Sequence, residues 1–419
     1  MKSNCISIFS IIGFSIACTD NKDDALLLMS DAAINYSDIV SASYADSLST
    51  AQTLDSSIGA LLDSPSTSSL DAARDAWLAS REPYLQTEVY RFYEGPIDNE
   101  TDGPEGLINA WPMDESYVDY TIGSMGIENT GIVNDTSVVI DSDTLEGLNE
   151  QGGEENIATG FHAIEFLLWG QDMSADGPGN RAYTDFLDRG DAGSFGCYDP
   201  TTHAVDCETT TEAECSGGAM WAEGACSTNS DRRGLYLTVT AEMLVNHLSG
   251  LDAAWSSDSD NYRSEFEAAE AEEQLRRILT GMIVLSGFET GGERLQTALD
   301  SGDQEDEHSC FSDNTHRDMI QDIQGVQNVY LGTYGSVSGS SIKDVVAALD
   351  SELADQLETE IAASLSAANA LNTPFDVEIA LDNTEGRERV QTLITALRTQ
   401  EQTLEEVFRG FGLAVPVVE

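Results

Sequence analysis

Residues 160–170, Gly-Phe-His-Ala-Ile-Glu-Phe-Leu-Leu-Trp-Gly, are apolar enough to lie in a core, yet they carry His162 and Glu165. At helical pitch, positions three apart share a face. The imidazole and the carboxylate would then project side by side, with Phe161, Ile164 and Leu168 on an adjacent stripe. Burying these two groups among Phe, Leu and Trp is costly unless something pairs with them. A divalent metal, an Arg or a hydrogen-bond network are the available partners. A chain that keeps such a run needs helices around it, and the remaining sequence supplies them.

From Lys22 to Arg81 the pattern is helical, with a break near Ser64-Pro65 and a new start at Ser68-Ser69. That third helix is expected to run through Trp77 toward Tyr93, with Pro83 kinking or restarting it. Along it Tyr84, Glu88 and Arg91 recur at helical spacing. Gly95-Pro96 stops it, and the segment to Gly153 reads as turns and brief β-branched runs with little regular sheet. The central helix is predicted over Glu154 to Trp169. Gly160, one turn before His162, implies that a neighbouring backbone or ligand approaches closely. Further helices are predicted over 232–251, 262–287, 289–299, 318–329, 343–371 and 383–411. Gly291-Gly292 requires close packing or a break, and Asn372-Thr373-Pro374 makes the last turn. Seven or eight long helices in two groups define an all-α chain.

The length of 419 residues exceeds what one core usually serves. The division expected is a signal peptide at 1–17, an anchor linker at 18–24, an N-terminal helical domain at 25–190, a Cys-rich insertion at 191–230 and a C-terminal helical domain at 231–419. Lys2 followed by a short apolar run marks the signal peptide. Ala17-Cys18 resembles a lipobox, although Ser15 stands where Leu is usual. Cys18 would be the acylated first residue, and Asp20 at the third mature position points to the outer membrane. Membrane contact would be through lipid alone. The formal net charge is −56, with lysine only at positions 2, 22 and 343. Such a surface repels nucleic acid and anionic lipid.

Cys197, Cys207, Cys215 and Cys226 fall in one Gly- and Thr-rich stretch. In an oxidising envelope they are expected to form two disulfides that staple a small surface insertion. Three pairings are open, and a metal knuckle is the competing arrangement. His203 lies there and is not counted as a ligand. Residues 301–316, SGDQEDEHSCFSDNTH, hold five carboxylates, His308, Cys310 and His316, a composition that cannot build a core.

Several blocks around the central run carry a resemblance. They are WLASREPYLQTEVYRFYEGPID from Trp77, NAWPMDESYVDY from Asn109, ETGGERLQTALDSGDQEDEHSCFSDNTH from Glu289, and GVQNVYLGTYG after it. With GFHAIEFLLWG, which is similar to the GxHxxE signature, they resemble the imelysin family of iron-regulated envelope proteins, over residues 25 to 410 with one insertion. The resemblance implies two four-helix-bundle-like domains with the GxHxxE site at their junction. It also implies that the acidic 301–316 segment faces that site.

One His with several carboxylates suits iron or a comparable divalent ion, with zinc or copper as alternatives. The candidate ligands are His162 and Glu165, joined by Glu88, Glu293 and His308. Arg91, Arg294, Asp98 and Trp169 are expected to support them from behind. Three functions follow as expectations: metal binding for iron uptake or sensing, with an envelope iron-transport partner; a metallopeptidase with Glu165 as base; and a metal-free module that recognises a peptide or small ligand. The usual zinc-peptidase helix requires a second His four residues after the first, where Phe166 stands.

Overall fold

The computed structural model describes residues 21–123, 126–187, 227–257 and 260–417, and short strands at Cys197–Asp199, Ala204–Asp206 and Ala219–Met220. The predicted signal peptide and Cys18 lie outside the described residues. So do Cys207, Cys215, Cys226 and His203, while Cys197 is described in its backbone alone.

The architecture is mostly helical, as expected. We label the principal helices α1 (Met29–Asp63), α2 (Thr67–Leu85), α3 (Gly160–Trp169), α4 (Ser230–Trp255), α5 (Ala271–Ile283), α6 (Thr315–Leu331), α7 (Ser351–Ala368) and α8 (Thr384–Gly410). α5 runs without interruption into a π-helical segment, Val284–Gln296. Strand is confined to small antiparallel pieces, such as Thr121–Gly123 against Gly126–Glu128 and the hairpin Thr333–Tyr334 with Val337–Ser338. Among the described residues no helix is long and apolar enough to cross a membrane.

Local chemistry sets the ends. Ser66 caps α2 in a reciprocal box with Ser69, and Asn383 caps α8 by accepting from the amide of Gly386 at 3.0 Å. Several boundaries differ from those predicted. Pro83 is accommodated inside α2, but the helix ends at Leu85 and a 3-10 turn, Glu88–Tyr90, follows. The predicted i, i+3 face of Glu88 and Arg91 is therefore not part of a long helix. α3 starts at Gly160 instead of Glu154, because the preceding stretch stays irregular. The predicted 343–371 helix divides at Asp350, whose carboxylate caps α7.

α1 packs against α2 and α4, and α3 lies on α2 and α4. In the second group α8 packs against α7 and the π segment, and α6 against α7 and that same segment. α6 also reaches α2, and α5 touches both α1 and α8. The larger apolar cluster accordingly takes residues from Ala25 to Phe411, drawing on both groups. A smaller one, from Leu295 to Leu397, belongs to the second group.

Candidate functional site

All of α3 is buried, and it is flanked by α2 and α4 on one side and the 302–314 loop on the other. Gly160 opens the helix with φ +81°, and a side chain there would strike the backbone carbonyl of Ile108. This is the close approach its position in the sequence implied. Two residues later Nδ1 of His162 lies 2.9 Å from Oε2 of Glu165. The other oxygen of Glu165 accepts from the backbone N–H (2.9 Å) and hydroxyl (2.6 Å) of Ser312. Burial pushes the Glu165 carboxyl up to about 8, against the pull of Ser312. Burial, reinforced by Arg81, holds His162 well below the usual imidazole range.

His308 comes from the acidic loop, and its ring stands 5.0 Å from that of His162, centroid to centroid. Its Nδ1 is 2.7 Å from Oδ2 of Asp318 on α6. Asp318 also receives Arg81 (3.1 Å), the Ser309 hydroxyl (2.5 Å) and the Asn314 amide (3.1 Å). Burial alone would raise the Asp318 carboxyl, but Arg81 and His308 hold it far below the carboxylate range. Burial, with Arg294 nearby, pushes His308 down to about 3. A neutral imidazole beside an ionised carboxylate donates its Nδ1–H, so His308 keeps its lone pair on Nε2. Nε2 of His162 is buried and without a hydrogen-bond partner.

Arg81 is fully buried. Its guanidinium lies over the ring of Phe161 at 4.9 Å and near those of Trp77 and Tyr84, and it donates to Asn109 at 2.5 Å.

The other predicted ligands are held differently. Oε2 of Glu88 is taken by Arg91 and Arg294, each at 2.6 Å. These guanidinium groups outweigh burial and keep the carboxyl low. Arg294 also binds Asp322 at 2.8 Å and Glu289 at 3.0 Å. The π segment aims it, and there Gly287 admits the Glu401 side chain where a Cβ would collide with it. Glu293 is exposed. Asp98 accepts from the amides of Phe92 and Gly95 and shapes the turn after the 3-10 helix. Trp169 packs against Trp77 and under Arg74 at the far end of α3. Among the described residues no three His, Cys, Asp or Glu side chains converge on ligating geometry. The five predicted ligands therefore do not form a ready cage as they stand. Cys310, beside the site, is a buried free thiol that burial makes harder to ionise.

A cavity of about 450 Å³ opens onto His308 and Arg294. Its walls carry Glu105, Glu150, Glu154, Glu289 and Glu293, with Trp111 among them. Arg81, Asn109, Ser312, Asp318 and Asp322 were missed as site residues. Asn109 heads one of the quoted blocks and Ser312 sits in another, but nothing local to them announces the Arg81 guanidinium that Asn109 meets or the Glu165 carboxyl that Ser312 meets. Asp318 lies in the first turn of α6, where an acidic residue reads as a helix-start preference.

The sequence profile of the imelysin (M75 peptidase) family matches residues 40–404. The "Iron-regulated protein A" of Synechococcus elongatus is 24% identical over 377 residues, which cover 88% of this chain and 82% of that protein. Two crystal structures share the fold. One, titled an iron-regulated protein A precursor from Parabacteroides distasonis, has a TM-score of 0.62 at 18% identity, covering 95% of this chain and 97% of the other. The other, titled an imelysin-like protein from Psychrobacter arcticum, has a TM-score of 0.57 at 12% identity, covering 97% of this chain and all of its own.

Proposed function

The chain belongs to the imelysin family, and on that premise we propose that it is an envelope protein that binds a metal cation, iron foremost, between the Nε2 atoms of His162 and His308, for iron uptake or sensing. One observation carries this reading. Each imidazole has Nδ1 within hydrogen-bond distance of a carboxyl group, Glu165 or Asp318; with that group ionised Nδ1 donates and Nε2 is left for a ligand, so binding at His162 releases the Glu165 proton. A carboxylate behind Nδ1 is how metal-ligating histidines are ordinarily oriented.

The residues fit such an ion. The buried, partnerless Nε2 of His162 can serve as a nitrogen ligand, and imidazole with hard oxygen nearby suits iron, zinc or copper. The acidic walls of the adjoining cavity would gather cations from solvent. Iron stands first because the Synechococcus relative is named for its regulation by iron. Glu165 has both oxygens committed, to His162 and Ser312, which favours holding an ion over acting as a hydrolytic base. The lipid anchor at Cys18 and an iron-transport partner in the envelope complete the proposal.

Isothermal titration of metal-stripped protein with ferrous, ferric, cupric and zinc ions tests it. Saturable binding that His162→Ala abolishes is expected; absence of saturable binding, or binding unchanged in that variant, defeats the proposal.

A further inference from the structure

The cavity beside His308 is floored by hydrogen-bond donors that, among the described residues, no protein group answers. Asn109, 4% exposed, lines it and gives Oδ1 to Arg81. A guanidinium only donates, so the orientation of the amide is fixed and Nδ2 is the donor left over. That Nδ2 is buried and has no acceptor. Arg91 and Arg294 line the same cavity. They share Oε2 of Glu88 at 2.6 Å each, which sets the two guanidinium groups side by side. Each keeps a buried Nε–H without an acceptor. Leaving such donors unpaired is costly, and an oxygen acceptor brought by a ligand offsets that cost.

The mouth of the cavity has the opposite character. Glu105 and Glu289 are spent on Arg91 and Arg294, at 3.1 and 3.0 Å. Glu150, Glu154 and Glu293, by contrast, are exposed lining residues. Trp111, half-buried, lines the wall with its ring 5.8 Å from that of His308, centroid to centroid. A bare anion that suited the floor would be repelled at the mouth. A bare cation drawn to the mouth would leave the floor donors unpaired. A molecule that carries both charges, set apart, meets both ends.

We propose that this cavity binds a small zwitterion. Its carboxylate is received by Asn109, Arg91 and Arg294, and its ammonium or guanidinium group by Glu150, Glu154 and Glu293 with Trp111 beside it. Amino acids with a basic side chain belong to this class. The volume of about 450 Å³ falls in the range of small-ligand sites. A carboxylate on guanidinium groups makes the strong, charge-assisted kind of hydrogen bond, and a cation near an indole face gains further attraction. The site goes beyond the ion held between the imidazoles and requires neither that metal nor His162.

Isothermal titration of full-length, metal-stripped protein tests it, in about 0.15 M salt, where loose surface attraction is screened. Three probes are compared. Arginine carries both charges, agmatine lacks the carboxylate and pentanoate lacks the positive group. Saturable binding of arginine is expected, with each of the other two at least tenfold weaker. Asn109→Asp keeps an oxygen for Arg81 but replaces the spare donor with an acceptor, so arginine affinity should fall tenfold or more. Glu154→Gln combined with Glu293→Gln, both on the exposed mouth, should weaken arginine severalfold. Absence of saturable arginine binding, which would leave the floor donors to water, overturns the proposal. Agmatine or pentanoate binding as tightly as arginine also overturns it, as does arginine affinity unchanged in Asn109→Asp. If Asn109→Asp does not fold, the three-probe comparison on the wild type and the mouth variant decide, and arginine affinity unchanged in the mouth variant overturns the site.

Discussion

His308 and Asp318, ten residues apart in the chain, meet at 2.7 Å with Arg81 behind them. The imidazole leans on a carboxylate that is itself anchored by a buried guanidinium.

Asp318→Ala should therefore damage both stability and binding. It leaves Arg81 buried and unpaired, a change that costs about 3–5 kcal/mol. It also frees the His308 ring, and metal affinity should fall roughly 10–100-fold. Chemical denaturation and metal titration of the variant check the two effects separately.

Gly160→Ala should lower stability by about 1–3 kcal/mol, because alanine is strained at φ +81°, and contact with the Ile108 carbonyl adds to this. α3 would shift with it. Loss of metal affinity without loss of either imidazole is the expected signature, read by denaturation and titration together.

The pH dependence has a definite sign. Burial raises the carboxyls of Glu165 and Asp172 to about 8 and that of Asp313 to about 7, whereas in the unfolded chain they titrate near 4. Between about pH 4 and pH 8 the folded state binds more protons than the unfolded one, so these groups contribute stability at low pH that is lost as pH rises. His162 and His308, held neutral by burial, act in the opposite sense below about pH 6.5, where the unfolded imidazoles take up protons, so the metal-free unfolding midpoint should fall between about pH 6.5 and pH 8. A midpoint that rises over that interval would contradict the assignment.

Ser312→Ala should cost about 1 kcal/mol and raise the Glu165 carboxyl further, since the hydroxyl bond is one of the forces lowering it. The pH at which metal binding reaches half its maximum should move upward, which titration over a pH series reads directly.

Much of this was legible in the sequence because it is local. The spacing of His162 and Glu165 put them on one helical face, and Gly160 announced a close backbone neighbour. The acidic loop with His308 had no packing reason for its content. What was not legible is long-range. Nothing near Asp318 says that Arg81, 237 residues earlier, will share its carboxylate. Nothing near Glu88 says that Arg294, 206 residues later, will occupy it. Periodicity also could not separate α-helix from the π-helical turn pattern at Val284–Gln296, whose Gly287 sits against Glu401, 114 residues later in the chain.

X-ray absorption at the metal edge of the iron-loaded protein tests the central claim most directly, because imidazole rings add a countable multiple-scattering signature. Two histidines per ion are predicted, falling to one in His308→Ala. A spectrum without imidazole, or one that the variant leaves unchanged, would contradict the paired-Nε2 site.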